Sequence, residues 1–525
     1  MGIYLNPGNE NFAKTIRTGR YVDKTMMISE VNKLVDTENQ YICMSRPRRF
    51  GKTIAGNMLC AYYSKGCDSR ELFRPYNIAT KYAGFDEKLN KYNVICIDMN
   101  SEYQSAEKKD GLIKDITGYV KDELRQEFTD VDLLEEDSLA RCLLKIYAKK
   151  KETFIIIIDE YDCLVRERVG HVLFDEYLEF LNGLFKSNAL KPAISLAYLT
   201  GILPVVRDKV QSKLNSFDEY TMVSMGEFAE YVGFTEAEVK KLCGEYGMDF
   251  EECRRWYDGY RQKGIEIYSP ESVMKSMKNK DFGNYWGKTS SYEAISDLIR
   301  MNFEGTRDDV IRMLAGGAVN VDVDMYLNTM NDFKTKDEVF TCLIHLGYLA
   351  YLKEDGTCWV PNKEVRMEWL RSISTVDGYE ETDRIVKESK RLLEYTWEGD
   401  REAVARALHN SHINVTSNRS FNNEDALQSA IYLSYIYALN KYTVVKEMTA
   451  GKGFADLTYI PFVPDIPAMI VELKRKHSPE SALDQIRRKE YFRSLDKYSG
   501  SLLFIGISYD PEDKTHSCRI ERFVK

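Results

Sequence analysis

Over roughly the first two hundred residues, short apolar runs alternate with longer amphipathic stretches. The runs 41–45, 94–99, 154–158 and 194–199 are rich in β-branched or aromatic residues and short enough to be buried strands. The segments between them are long enough for crossover helices, so the pattern predicts an α/β domain with a parallel sheet. From about Phe228 the pattern turns helical, in EFAEYVGFTEAEVKKLCGEYG and RDDVIRMLAGGAV. Thr235 stands where an N-cap belongs, with acidic residues in the turn that follows. Next comes a helix, a hairpin turning at Glu354-Asp355-Gly356, and a second helix. That order fits a winged-helix-like unit, and equally a helical connector with a chance hairpin. From about Asp383 helical segments lead to three strand-like runs, 443–447, 455–460 and 468–474. A helix over 479–495 and a run over 501–508 follow. The expected division is therefore an α/β domain over 1–226, a helical region over 227–382 and a second α/β domain over 383–525.

Composition narrows this only a little. A chain of 525 residues needs several cores. With 44% hydrophobic and 30% charged residues it reads as globular. A net charge of -9 argues against a wholly basic nucleic-acid coat, but not against a local basic cleft. The 11 cysteines are scattered singly, which points to a reduced, cytoplasmic setting. MGIYLNPGNENF has no charged start before an apolar core, and the aliphatic stretch at 154–158 is far too short to cross a bilayer. The expectation is thus no signal peptide and no membrane. The six histidines show no zinc-ligand spacing.

The first candidate chemistry follows the run 41–45. Arg46-Pro47-Arg48-Arg49-Phe50-Gly51-Lys52-Thr53 leads from that strand into the helical IAGNMLCAYYS. A loop between a strand and a helix N-terminus offers N–H groups and a positive dipole end to phosphate. Arg48, Arg49 and Gly51 belong to this loop. Lys52 would reach the terminal phosphates, and the Thr53 hydroxyl would ligate magnesium. Arg46 stands where the strict phosphate-loop pattern has its first glycine, so a plain strand-to-helix turn at Gly51 is the alternative. The run 154–158 weighs against that alternative, because it ends in Asp159-Glu160. Asp159 could hold the magnesium shell, and Glu160 could polarise an attacking water. The run 194–199 ends in Thr200-Gly201, where Thr200 could sense the γ-phosphate or merely cap a helix.

YVDKT at 21–25, RPRRFGKT, the Asp-Glu strand, LTGILPV at 199–205, WYDGY at 256–260 and PNKEV at 361–365 occur in that order. Together they resemble the bacterial AAA-ATPase-like family, whose members typically carry a PD-(D/E)XK nuclease-superfamily domain at the C-terminus. The resemblance spans nearly the whole chain, and the family's first phosphate-loop position resembles Arg46. It implies ATP with Mg2+ as the nucleotide. Arg207 is a candidate arginine finger, or simply a solvated loop arginine.

The second candidate chemistry lies in GKGFADLTYIPFVPDIPAMIVELKRK. Residues i and i+2 of a strand share a face, so Glu472 and Lys474 point one way and Leu473 the other. If the strands pair as a hairpin, Asp456 converges with Glu472. With the Leu473 carbonyl they would form a hard oxygen site for Mg2+ or Mn2+. Lys474 would then position a water or steady developing charge. Asp456, Glu472 and Lys474 match the D…ExK core of the PD-(D/E)XK superfamily, and Glu424 resembles an acid often found in the preceding helix. Gln485 and Lys489 fall on one face of the next helix and could meet a nucleic-acid backbone. The basic residues there are interleaved with acids, so a salt-bridged solvent face is the alternative. The function expected is an ATP-binding and ATP-hydrolysing protein with a metal-dependent nuclease-like domain. Its partner would be nucleic acid, DNA ahead of RNA, with a homo-oligomer left open. The rivals are a regulatory ATPase whose last domain binds nucleic acid without cutting it, and a protein-interaction switch.

Overall fold

Five strands form the N-terminal sheet of the computed structural model: β1 (Tyr41–Ser45), β2 (Asn93–Asp98), β3 (Phe154–Asp159), β4 (Ile194–Gly201) and β5 (Asp218–Tyr220). Their order is β2-β3-β4-β1-β5, and every pairing is parallel. The structure describes residues 2–205, 216–287, 293–327, 330, 333–415, 424–450, 453–461, 465–490, 500–513 and 515–523. The sheet is the parallel one that the apolar runs predict. β5 is the exception, since its Asp-Glu-Tyr sequence carries no apolar signal at all.

Helices cover both faces. Tyr41, Cys43, Ile156 and Ile158 pack on one side against helices Leu112–Glu127, Leu139–Lys150 and His171–Phe185. Helix Lys52–Tyr63 crosses the other face, close enough that a Cβ on Gly56 would lie 3.8 Å from Ile157 Cγ2. Because β4 is inserted between β1 and β3, the C-terminal ends of these three strands lie side by side. In an open parallel sheet this is where ligands bind.

The chain divides into two compact units, residues 1–291 with 320–367, and residues 292–319 with 368–525. In the first unit Thr235 caps helix Glu236–Tyr246 with a capping box. The Glu238 N–H donates to the Thr235 hydroxyl (3.4 Å), and the Thr235 N–H donates to the Glu238 carboxylate (2.8 Å). Helix Lys336–Leu346 and the antiparallel hairpin Ala350–Leu352/Thr357–Trp359 follow in the expected order, with helix Lys363–Ile373 after them.

The motifs WYDGY and PNKEV meet in this unit. Gly259 has φ +114°, and a Cβ there would lie 2.1 Å from the Pro361 carbonyl oxygen. Asn362 Nδ2 donates to the Asp258 carbonyl (2.8 Å), and the Glu364 carboxylate accepts from the N–H groups of Tyr285 (2.6 Å) and Trp286 (2.8 Å). These two motifs are therefore structural partners.

The second unit holds a mixed sheet: β6 (Tyr442–Ala450), β7 (Gly453–Pro461), β8 (Ala468–Arg475), β9 (Leu502–Asp510) and β10 (Thr515–Phe523), in consecutive order. Only β8 and β9 are parallel, and helix Pro479–Arg488 is the crossover between them. That helix packs Leu483 and Ile486 on Ile470 and Phe504. On the opposite face, Leu457, Val471, Leu473 and Ile505 meet Leu392, Leu393, Val404, Leu408 and Ile431 from three helices. Two expectations change here. The crossover helix ends at Arg488 rather than at 495, with Lys489 as its C-cap and residues 491–499 outside the described set. β10 has no counterpart in the sequence reading, because charged residues interrupt its apolar alternation. Among the described residues, no helix is long and apolar enough to cross a membrane.

Candidate functional site

The loop after β1 is built by three unusual residues. Arg46 continues the ladder through its N–H to the Gly201 carbonyl (3.0 Å). Its side chain is wholly buried, and Nη1 donates to the carbonyls of Ser45 and Tyr220 (both 2.9 Å). Nε and Nη2 have no partner among the described residues, and burial lowers the guanidinium pKa to about 10. The arginine in the first-glycine position thus braces the loop from below against β5. Gly51 has φ +94° with open space around its absent Cβ, so the backbone conformation, not crowding, calls for glycine. Lys52 opens the helix and is buried, its Nζ donating to the Pro47 carbonyl (3.0 Å). Burial lowers the Lys52 pKa, against the opposing pull of Glu160, Asp162 and Asp159.

Thr53 and Arg48 are exposed. Arg49 sits at φ +71° and pairs with Glu271 at 2.9 Å. Phe50 is buried, in edge contact with Tyr260 (5.5 Å between centroids) and Trp286 (6.2 Å). A Cβ on Gly347 would lie 2.7 Å from the Pro47 ring. The loop is therefore packed directly onto the WYDGY–PNKEV assembly.

At the ends of β3 and β4, the Thr200 hydroxyl donates to Asp159 Oδ1, which also accepts the Glu160 N–H (3.0 Å). The sequence reading gives Thr200 a phosphate-sensing place, and the structure turns its hydroxyl onto Asp159. Glu160 adopts φ +51°, and burial raises its pKa although Lys52 and Arg166 oppose the shift. Its carboxylate pairs with Arg166 Nη2, while Arg166 Nε donates to Asp162 Oδ2 at 3.0 Å. Asp162, fully buried, also accepts the N–H groups of Ile202 (3.0 Å) and Leu203 (2.8 Å). It therefore ties the end of LTGILPV to the Asp-Glu strand.

Glu160 and the phosphate loop line a cleft of about 550 Å³, the size of a small-ligand pocket. Gly51, Lys52, Thr53 and Glu160 are part of its polar lining; Tyr21, Val22, Met58, Tyr231 and Phe234 supply apolar wall. The YVDKT segment is fixed in place by Asp23, which accepts the N–H groups of Thr25 (2.9 Å) and Asn77 (2.8 Å). Lys24 bonds the Glu230 carbonyl and the Glu238 carboxylate, both at 2.6 Å.

The C-terminal site lies on the face of the second sheet that helix Pro479–Arg488 covers. β7 and β8 pair antiparallel with Leu457 opposite Val471 and Thr458 opposite Ile470, a register that sets Asp456 opposite Glu472. The two residues thus sit on neighbouring strands, and the Asp456 charge bears on Glu472. Asp456 Oδ2 accepts the Leu473 N–H (2.7 Å), and Leu473 itself points into the opposite core. Glu472 is 1% exposed; Oε1 takes Lys474 Nζ at 2.9 Å and the Gln485 amide, while Oε2 has no partner among the described residues. Burial and the Asp456 charge push Glu472 up to about 7, with Lys474 opposing. A Cβ on Gly506, which pairs with Glu472, would lie 2.3 Å from the Pro479 carbonyl, so glycine lets the helix start close to the sheet. Gln485, expected to face a nucleic-acid backbone, instead turns to the carboxylate, and Lys489 ends the same helix as its C-cap.

Among the described residues, no three His, Cys, Asp or Glu side chains gather as a metal cluster. The donor set is thus two carboxylates, one with an orphaned buried oxygen, and a hard divalent ion fits that chemistry. Lys52, Thr53 and Glu160 share the cleft, and Asp159 adjoins it beside Thr200. Asp456, Glu472, Lys474 and Gln485 share the second site. Arg207 and the Glu424 side chain lie outside the described residues. Sequence reasoning missed Arg166 and Asp162, although their i, i+4 spacing was a usable signal for an ion pair.

Residues 7–211 match the family described as "Predicted AAA-ATPase", and residues 422–518 match the PD-(D/E)XK nuclease superfamily. A curated protein from Azotobacter chroococcum mcd 1, "Uncharacterized protein in vnfD 5'region", is 24% identical over 306 residues. The match covers 56% of this chain and 55% of that protein, so it spans about half of the relative's length. Among solved structures, "Structure of C. elegans PCH-2" is similar at 11% identity. It covers 62% of this chain and 66% of that one with a TM-score of 0.20, too loose a likeness to carry an argument. By its matched segments and its motifs, the chain carries an AAA-ATPase-like domain at its N-terminal end and a PD-(D/E)XK nuclease-superfamily domain at its C-terminal end.

Proposed function

We propose that the protein binds and hydrolyses ATP in its first unit and cleaves nucleic acid, DNA ahead of RNA, in its second. The nuclease half of this reading rests above all on the buried Glu472 oxygen opposite Asp456 that has no partner among the described residues. A buried carboxylate oxygen costs free energy unless something satisfies it, and a divalent ion is the ligand this donor set suits. Asp456 and Glu472 would hold Mg2+ or Mn2+, which when bound polarises a phosphodiester oxygen and acidifies water. Lys474 holds the Glu472 carboxylate and brings a cation to the place where charge develops on the phosphate. Gln485 fixes the Glu472 rotamer from the other side.

In the first unit the apolar wall of the cleft receives the base, and the helix N-terminus with Lys52 receives the terminal phosphates. Thr53 and Asp159 would hold Mg2+, which would neutralise phosphate charge. Glu160 takes the proton from the attacking water. Its raised pKa suits that role, because a stronger base accepts a proton more readily. The test is to incubate purified protein with Mg2+ or Mn2+, with and without ATP, against labelled single- and double-stranded DNA and RNA. Metal-dependent cleavage supports the reading. No cleavage of any of the four under either metal would leave a nucleic-acid-binding ATPase in its place.

A further inference from the structure

The carboxylate assigned to water activation is not free to act. Glu160 is bound by Arg166 Nη2, and the same guanidinium holds Asp162 through Nε at 3.0 Å. Arg166 is 9% exposed and Asp162 0%, so the arginine is anchored on its inner side, whereas Glu160, 23% exposed, lines the cleft. Asp162 has two further anchors, the N–H groups of Ile202 and Leu203, and the Leu203 carbonyl accepts Ser45 Oγ (2.8 Å) and Tyr161 Oη (2.9 Å). Arg166 is thus rooted in a frame that joins the ends of β1, β3 and β4. Among the described residues, Glu160 is the one group it bonds that sits in the cleft wall, with no other anchoring side chain. Glu160 also holds a left-handed backbone conformation, which a non-glycine residue keeps only when its surroundings impose it.

Resting on the ATP reading above, we propose that Arg166 is a positioning residue that parks Glu160 in the nucleotide-free protein, and that arrival of the triphosphate releases it. A carboxylate bonded to a guanidinium is a poor proton acceptor, so the parked site does not activate water. Around the loop, Lys52 faces Glu160, Asp162 and Asp159, and Arg166 faces Asp162 and Glu160. A triphosphate adds several negative charges here and competes with Glu160 for both cations. Parking therefore costs binding affinity, since the ligand must pay to break the pair. The cost appears in wild type and vanishes when either partner is removed.

A double-mutant cycle reads this directly. The affinity of a non-hydrolysable ATP analogue with Mg2+ is measured by calorimetry for wild type, Glu160→Gln, Arg166→Gln and the double variant. If the pair breaks on binding, the product of the two single-variant tightening factors exceeds that of the double variant, by at least about twofold. A product equal to the double variant's factor means the pair survives in the bound state and overturns the proposal. Should Arg166→Gln not fold, Arg166→Lys, which keeps the charge but loses the two-armed fork, takes its place in the cycle. Lys52→Ala separates the two failures. If wild type binds the analogue, Lys52→Ala binds it at least about tenfold more weakly, and the cycle is additive, the ATP reading stands and parking falls. If wild type does not bind, both fall.

Discussion

Glu472 sets the terms for the C-terminal site. Its folded pKa stands at about 7, above the ordinary 4.5, so the native state holds this proton more tightly than the unfolded chain does. Metal-free protein should therefore lose stability as pH rises from about 4.5 through 7 at this group, and Glu472→Gln should flatten that part of the profile. Urea unfolding at stepped pH would measure it. A metal ion here would compete with that proton for the same carboxylate, so Mn2+ affinity at this site should climb over the same window. An affinity that does not vary with pH would remove Glu472 from the ligand set.

Lys52 gives the matching prediction in the first unit. Lys52→Ala should weaken ATP binding by about 1.5–3 kcal/mol, roughly ten- to a hundredfold. Glu160→Gln should bind ATP but hydrolyse it about 10²–10⁴-fold more slowly. Both residues, like Asp456 and Glu472, were marked as candidates by motif spacing. Arg166 was not. Its meaning comes from contacts with two carboxylates, and a sequence shows only that an arginine follows four residues after an aspartate. Gln485 was placed on the right helix but given an outward role, since the face it shares with Lys489 does not say which end of that face meets the sheet.

The phosphate loop carries a second message at the level of elements. Phe50 sits between Tyr260 and Trp286, and Pro47 abuts Gly347, so the loop cannot shift without disturbing the WYDGY–PNKEV assembly. Phe50→Ala should destabilise the protein by about 3–5 kcal/mol, the usual cost of a buried Phe→Ala change. Gly259→Ala should be costly without touching the cleft, because a methyl group there meets the Pro361 carbonyl and the backbone is left-handed. Thermal unfolding of both variants checks this, and an unchanged midpoint for Gly259→Ala would contradict the interlock. The apolar strands were legible as short unbroken apolar runs, and the Thr235 cap from its side chain and the acids that follow. β5 was not legible, because three polar residues gain a strand only by lying beside β1 and holding Arg46. The crossover helix read too long for a related reason. Its charged residues after Arg488 keep helical propensity, but Glu490 takes φ +57° and breaks the run.

At the scale of the whole molecule, two compact units carry two separate candidate sites. A ligand of one unit can change the other only through a difference in its affinity for two states of the chain. Limited proteolysis across residues 370–425 should therefore change on adding ATP and Mg2+ if the units are coupled. Identical fragments at saturating ATP would make the two activities independent neighbours. The most direct test of the central claim, that one chain holds an ATPase site and a separate metal-dependent nuclease site, is to assay both activities on the same preparations of wild type, Lys52→Ala and Glu472→Gln. The account predicts that Lys52→Ala loses ATP hydrolysis while Glu472→Gln keeps it. It also predicts that Glu472→Gln alone abolishes the cleavage wild type performs with Mg2+ or Mn2+ when ATP is absent. Undiminished cleavage by Glu472→Gln, or loss of ATP hydrolysis in that variant, would contradict it.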